Sequence, residues 1–160
     1  MEPQPRIGLS NDTLHEVSLI LNTQLSDEFM LYTKTLNFHW NVYGMHFHDL
    51  HKFLEQQYED LFAIIDLVAE RVRALGHRSF GTLTEFSQQS RLKEEVKVVP
   101  TAPQMLAILL EDHEAIIRQL RKDIDICADD LHDMGTNNFL TDIMERHEKM
   151  AWMLRAFIQK

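Results

Sequence analysis

Between Asn37 and Gly76 the chain reads NFHWNVYGMHFHDLHKFLEQQYEDLFAIIDLVAERVRALG, a helical pattern in which histidines and carboxylates share the apolar positions. Imidazole nitrogens and carboxylate oxygens in combination suit divalent iron, with manganese and zinc as competitors. On a helix of about 100° per residue with His51 at zero, Glu55 falls at about 40°, Asp66 at about 60° and Glu70 at about 100°. Phe62 falls among them at about 20°, so the stripe has the width of a core-facing face and is nonetheless charged. Burying several such groups is costly unless something compensates them, and a bound cation would compensate all four.

His51 and Asp66 stand fifteen residues apart, roughly 22 Å along a helix, too far for one metal. Two copies of this helix packed antiparallel about a two-fold axis near Asp60 would bring the His51/Glu55 pair of one chain against the Asp66/Glu70 pair of the other. An isologous contact repeats each interaction, so such a dimer holds two equivalent sites. His39 precedes the turn at Gly44 and His51 follows it, so an antiparallel hairpin brings the two imidazoles together. The expected metal set is His39, His51 and Glu55 from one subunit with Asp66 and Glu70 from its mate.

Those residues need long helices to position them. Two prolines mark residues 1–9 as a short extended arm. Ser10 or Asn11 can cap a first helix beginning near Asp12, whose apolar positions Leu14, Val17, Leu21, Leu25, Phe29, Tyr32 and Leu36 recur at helical spacing to about Asn41. The second helix runs from about His46 to Leu75 and ends with Gly76. Residues 77–100 form a long connection in which Leu83, Phe86 and Leu92 predict a short helix. Thr101, Pro103 and Gln104 resemble a capping box opening a third helix that continues to about Leu131. Gly135 breaks the pattern, and Thr136 or Asn137 can cap a fourth. Four long helices with short, long and short connections describe an all-α four-helix bundle with one crossover, the ferritin-like arrangement. Ferritin-like di-iron proteins carry Glu-x-x-His inside the bundle, and no histidine here has a glutamate three positions earlier, which directs the metal chemistry to the surface between subunits.

Composition bounds the rest. One hundred and sixty residues suffice for one domain with a proper core. A net charge of −9 argues against a surface built to hold nucleic acid, which needs clustered Lys and Arg. The single Cys127 leaves no internal disulfide and fits a reducing compartment. MEPQPRIGLS holds no apolar run of the kind a secretory leader has, and no stretch is long enough to span a bilayer, so a cytoplasmic location is expected.

Over essentially its full length the chain resembles the Dps proteins, the mini-ferritins, in FHWNVYGMHFHDLHKFLEQQYEDLFAIIDLVAERVRALG, GTLTEFSQQS, LLEDHEAIIRQLR and HEKMAWMLRAFI. The resemblance implies a dodecameric hollow shell, ferroxidase centres at two-fold interfaces binding up to two iron ions each, and a cavity that stores ferric mineral. By position, the family's histidine ligands fall on His39 and His51 and its last two carboxylates on Asp66 and Glu70. The family often has Asp where Glu55 stands. Trp40 matches a tryptophan usually found beside the site, where it could quench radicals. Acidic three-fold pores near the turn before the last helix make Asp129, Asp130 and Asp133 candidates, with Asn138 where an Asp is common. Some members bind DNA through a lysine-rich arm; here Arg6 is the arm's one basic residue, which argues against that mode.

The resemblance also implies hydrogen peroxide rather than dioxygen as oxidant, and protection of DNA and the cell from oxidative stress, within the cytoplasm or on the nucleoid. Two other functions compete with this reading: a nucleoid-associated protein acting by direct DNA contact, and a structural shell whose site is inactive or holds zinc. Blander roles attach to single residues. The ligand set could be a buried polar network that sets helix register, Glu55 a solvated helix residue, and the aspartates a solvated helix end. His48 lies near the metal stripe as a group behind the ligands or on the cavity surface, Glu59 as a site of mineral nucleation or of plain solvation, Trp40 and Trp152 suit packing, and Cys127 reads as a small core residue.

Overall fold

The computed structural model describes residues 5–158, so the first four residues of the expected N-terminal arm lie outside the described part. Residues 5–10 precede the first helix without regular structure. Helix α1 spans Asn11–Asn41 and opens on Ser10, whose hydroxyl accepts the Thr13 N–H at 3.1 Å. Satisfying one of the orphan donors of a first turn in this way contributes about 1 kcal/mol. Leu14, Val17, Leu21 and Leu25 recur at steps of three and four and are buried on one face.

Gly44, at φ 111°, makes the reversal out of α1, and α2 then covers Phe47–Ala74. Leu50, Leu54, Leu61, Ile64, Val68 and Val72 are its buried apolar residues. Gly76, at φ 81°, ends it by donating to the Arg73 carbonyl at 2.9 Å, as the sequence predicts. The two helices pair along their lengths.

The long crossover contains α3, Leu83–Gln89, and polar groups of α1 hold it in place. Asn22 accepts the Phe80 N–H at 2.8 Å and donates to the Arg78 carbonyl. Asp27 accepts from the Arg91 backbone at 2.7 Å, from Arg91 Nε at 2.6 Å and from the Ser90 hydroxyl at 3.1 Å. A buried carboxylate with this many donors is compensated, and removing Arg91 would leave it stranded.

Helix α4 covers Ala102–Asp125, and the Gln104 side chain accepts the Thr101 N–H at 2.9 Å. The expected extension towards Leu131 is wound differently: Ile126–Asp130 form a π-helical turn, closed by Leu131 N–H to the Ile126 carbonyl at 3.0 Å. Helix α5, Met134–Ile158, starts earlier than predicted. Its cap is Asp133 rather than Thr136 or Asn137, with the Asp133 carboxylate accepting the Thr136 N–H at 3.0 Å and its hydroxyl at 2.5 Å.

Gly135 therefore sits inside the first turn of α5. A Cβ there would lie 2.9 Å from Nη2 of Arg71, which reaches over from α2 to the Thr136 hydroxyl at 3.0 Å and Asp133 at 3.5 Å. Helix α5 pairs with α4, completing the bundle, and the described residues contain no β-strand. No helix among them is long and apolar enough to cross a membrane.

Candidate metal centre

The hairpin between α1 and α2 brings His39, in the last turn of one helix, onto His51, in the first turns of the other. Their rings stack with centroids 3.8 Å apart and planes 19° from parallel. Phe47 lies against His51 at 5.1 Å, and Tyr58 meets His39 edge-on at 5.2 Å. Burial first, then the charges of Glu55 and Glu59, raise the Tyr58 hydroxyl above its ordinary pKa.

The hydrogen bonds of the pair are reciprocal. His39 Nδ1 is 2.9 Å from the His51 carbonyl, and His51 Nδ1 is 2.9 Å from the His39 carbonyl. A carbonyl only accepts, so both Nδ1 atoms carry a proton, and the neutral form of each ring has its lone pair on Nε2. A metal-binding histidine needs this arrangement, with one nitrogen donating to a fixed acceptor and the other bare. The His39 carbonyl lies in the last turn of α1, where helix carbonyls lack intrahelical donors, so the bond from His51 also serves the helix end.

Glu55 stands one turn after His51, and its Oε2 is 2.8 Å from Lys52 Nζ. Lys52, by hydrogen bond and then by charge, holds the Glu55 carboxyl below its ordinary range. Asp66 and Glu70 are exposed further along α2, well away from this hairpin, on a surface that also displays Phe62 and Leu67. No three His, Cys, Asp or Glu side chains among the described residues converge as a metal cage within one chain. One chain thus brings His39 and His51 together and leaves Asp66 and Glu70 on a separate exposed stretch of the same helix.

The remaining candidates fall in varied surroundings. Trp40 is 68% exposed, and His48 and Glu59 are exposed too. Asp129 and Asp130 face solvent from the π-helical turn, as does Asn138 in α5. Asp133 is buried, its carboxylate taken up by Thr136 and Arg71. Cys127 is fully buried, as expected of a small core residue, and burial pushes its thiol up to about 11.

Sequence reasoning passes over a second polar group, inside the bundle. Glu28 of α1, Gln57 of α2, His113 of α4 and His147 of α5 are all buried. Glu28 Oε1 lies 2.6 Å from Gln24 Nε2 and 2.8 Å from His147 Nε2, and His147 Nδ1 lies 2.9 Å from His113 Nδ1. The available signal is periodicity: His113 sits four and three residues from Leu109 and Ile116, and His147 four and three from Ile143 and Met150, all core residues.

The matches to known proteins agree with this fold. A ferritin-like domain model matches residues 19–160. An uncharacterized low temperature-induced protein of Nostoc is 45% identical over 157 residues, spanning 98% of this chain and 88% of that protein. The DNA protection during starvation protein 2 of Bacillus anthracis is 36% identical over 145 residues, 91% of this chain and 98% of that one. The crystal structure of a Dps protein from Vibrio cholerae, described as one of the ferritin-like diiron-carboxylate proteins, superposes with a TM-score of 0.91 at 26% identity, covering 99% of both chains. Bundle, crossover and these full-length similarities together mean that the chain belongs to the Dps family of ferritin-like proteins.

Proposed function

We propose that the protein is an iron-storing mini-ferritin of one domain that oxidises Fe(II) at centres shared between two copies of the chain and keeps the ferric product inside a hollow, dodecameric shell. The observation that carries this reading is the reciprocal His39–His51 pair, which leaves two Nε2 lone pairs available in a hairpin otherwise packed with aromatic rings. Iron is the substrate. His39, His51 and Glu55 of one chain, with Asp66 and Glu70 of its mate, supply the mixed nitrogen and oxygen donors that suit divalent iron, and zinc or manganese would compete for them.

Anionic carboxylates stabilise the higher charge of the ferric state and so favour loss of the electron. Hydrogen peroxide, the preferred oxidant over dioxygen, takes one electron from each of two ferrous ions. Its O–O bond breaks, two protons are taken up and two waters form, so no hydroxyl radical is released. The ions enter past Asp129 and Asp130, and DNA is protected by chemistry in the cytoplasm, for which no contact with DNA is needed.

Ferrous oxidation by limiting peroxide under anaerobic conditions tests this. The parent should oxidise iron well above the protein-free rate, and the His51→Ala/Asp66→Ala double variant should fall to that rate. Equal rates for parent and protein-free control would reduce the histidines and carboxylates to structural groups or to ligands of another metal.

A further inference from the structure

Glu55 is claimed from two sides. It stands one turn after His51 on the stripe of expected metal ligands, yet its carboxylate is held by Lys52, the residue that follows His51 and lies one turn before Glu55 on the same helix. We propose that Lys52 is a tethered cation that competes with the metal for Glu55, so that the shared centre fills in sequence. The first ion binds on ligands that Lys52 does not touch, and the second binds only as the ammonium leaves Glu55. This rests on the shared-centre reading above and names a control on it.

The physical basis is Coulombic. Lys52 Nζ, at 2.8 Å from Glu55 Oε2, occupies a position that a metal bound to the same oxygen must take or closely approach. A divalent ion a few ångströms from an ammonium is repelled, and the carboxylate must also give up its existing partner. At solvent-like screening the two effects amount to roughly a tenfold weakening of the second binding step. Lys52 is itself exposed and makes no other hydrogen bond or ion pair among the described residues, so it can swing away when displaced. The longer glutamate stem gives the carboxylate reach towards either partner.

The test is stepwise binding of Zn(II), which cannot be oxidised, to the assembled protein by calorimetry at fixed pH and ionic strength. Lys52→Gln should tighten the second step by about tenfold and leave the first step near its parental value. Lys52→Arg should restore the weak second step, because the charge and its reach are kept. In a Glu55→Gln background the effect of adding Lys52→Gln should shrink towards zero.

An unchanged second step in Lys52→Gln overturns the proposal and makes Lys52 an ordinary solvated helix residue. Zinc binding that is the same in the parent and in His51→Ala/Asp66→Ala overturns the shared centre itself, and the two failures are thereby told apart.

Discussion

The stacked imidazoles show how much one residue's role depends on its immediate acceptors. Their proximity is legible in the sequence from the two histidines either side of Gly44. The carbonyl that each ring uses is not, because it depends on the rotation of each helix about its axis. The same limit hides Glu28, His113 and His147: each occupies a core position by spacing, but residue type alone reads as surface. His113 has a consequence that titration can measure. Burial, then the charge of His147, hold its imidazole well below 6.5, so it is neutral in the fold. An unfolded chain protonates that ring as pH falls through about 6.5, whereas the native state does not. The stabilising contribution is therefore complete above that pH and declines below it, by about 1.4 kcal/mol per pH unit. Urea unfolding between about pH 7 and 5 should show this acid slope, and His113→Gln should flatten it by about one proton's worth. A variant with the parental slope would place the proton uptake on another group.

Among the elements, the four long helices are readable because each carries a continuous 3.6-residue apolar pattern and three of the four starts bear local signals, Ser10, Thr101 and the Gly44 reversal. The start of α5 escapes the sequence for a physical reason. Asp133, Thr136 and Asn137 all have capping chemistry, and Gly135 looks like a helix breaker. What decides among them is Arg71, some sixty residues earlier in the chain, whose guanidinium occupies the space a Cβ at Gly135 would need. The same contact withdraws Asp133 from solvent and leaves Asp129 and Asp130 as the exposed carboxylates of that turn. Asp133→Ala removes the cap and strips Arg71 of a partner, an expected loss of about 1–2 kcal/mol. Differential scanning calorimetry should register a fall in Tm of about 3–6 °C. Asp133→Asn, which still accepts the Thr136 N–H, should recover most of it. Equal losses in the two variants would mean that the ion pair, not the cap, holds this helix end.

For the whole molecule the decisive question is whether the proposed metal centre belongs to one chain or is shared by two. Phe62, 60% exposed, and Leu67 share the surface of α2 with Asp66 and Glu70, and an aromatic ring left in water amid carboxylates is the pattern of a face that a second copy covers. Two separately inactive variants can answer it. A His51→Ala chain lacks one imidazole of the proposed centre, and an Asp66→Ala chain lacks one of the carboxylates it would offer to its mate's side of that centre. In a two-fold heterodimer of these chains one site collects both lesions, while the other takes His51 from the Asp66→Ala chain and Asp66 from the His51→Ala chain and is whole. Random pairing makes about half the dimers mixed, each with one of its two sites intact, so about a quarter of the parental centres should return. Co-expressed chains should therefore regain about that fraction of peroxide-dependent ferrous oxidation, although each chain alone has none. If each centre belonged to one chain, every copy in the mixture would still carry its own lesion. Mixing would then restore nothing, and the antiparallel pairing about Asp60 would have to be abandoned.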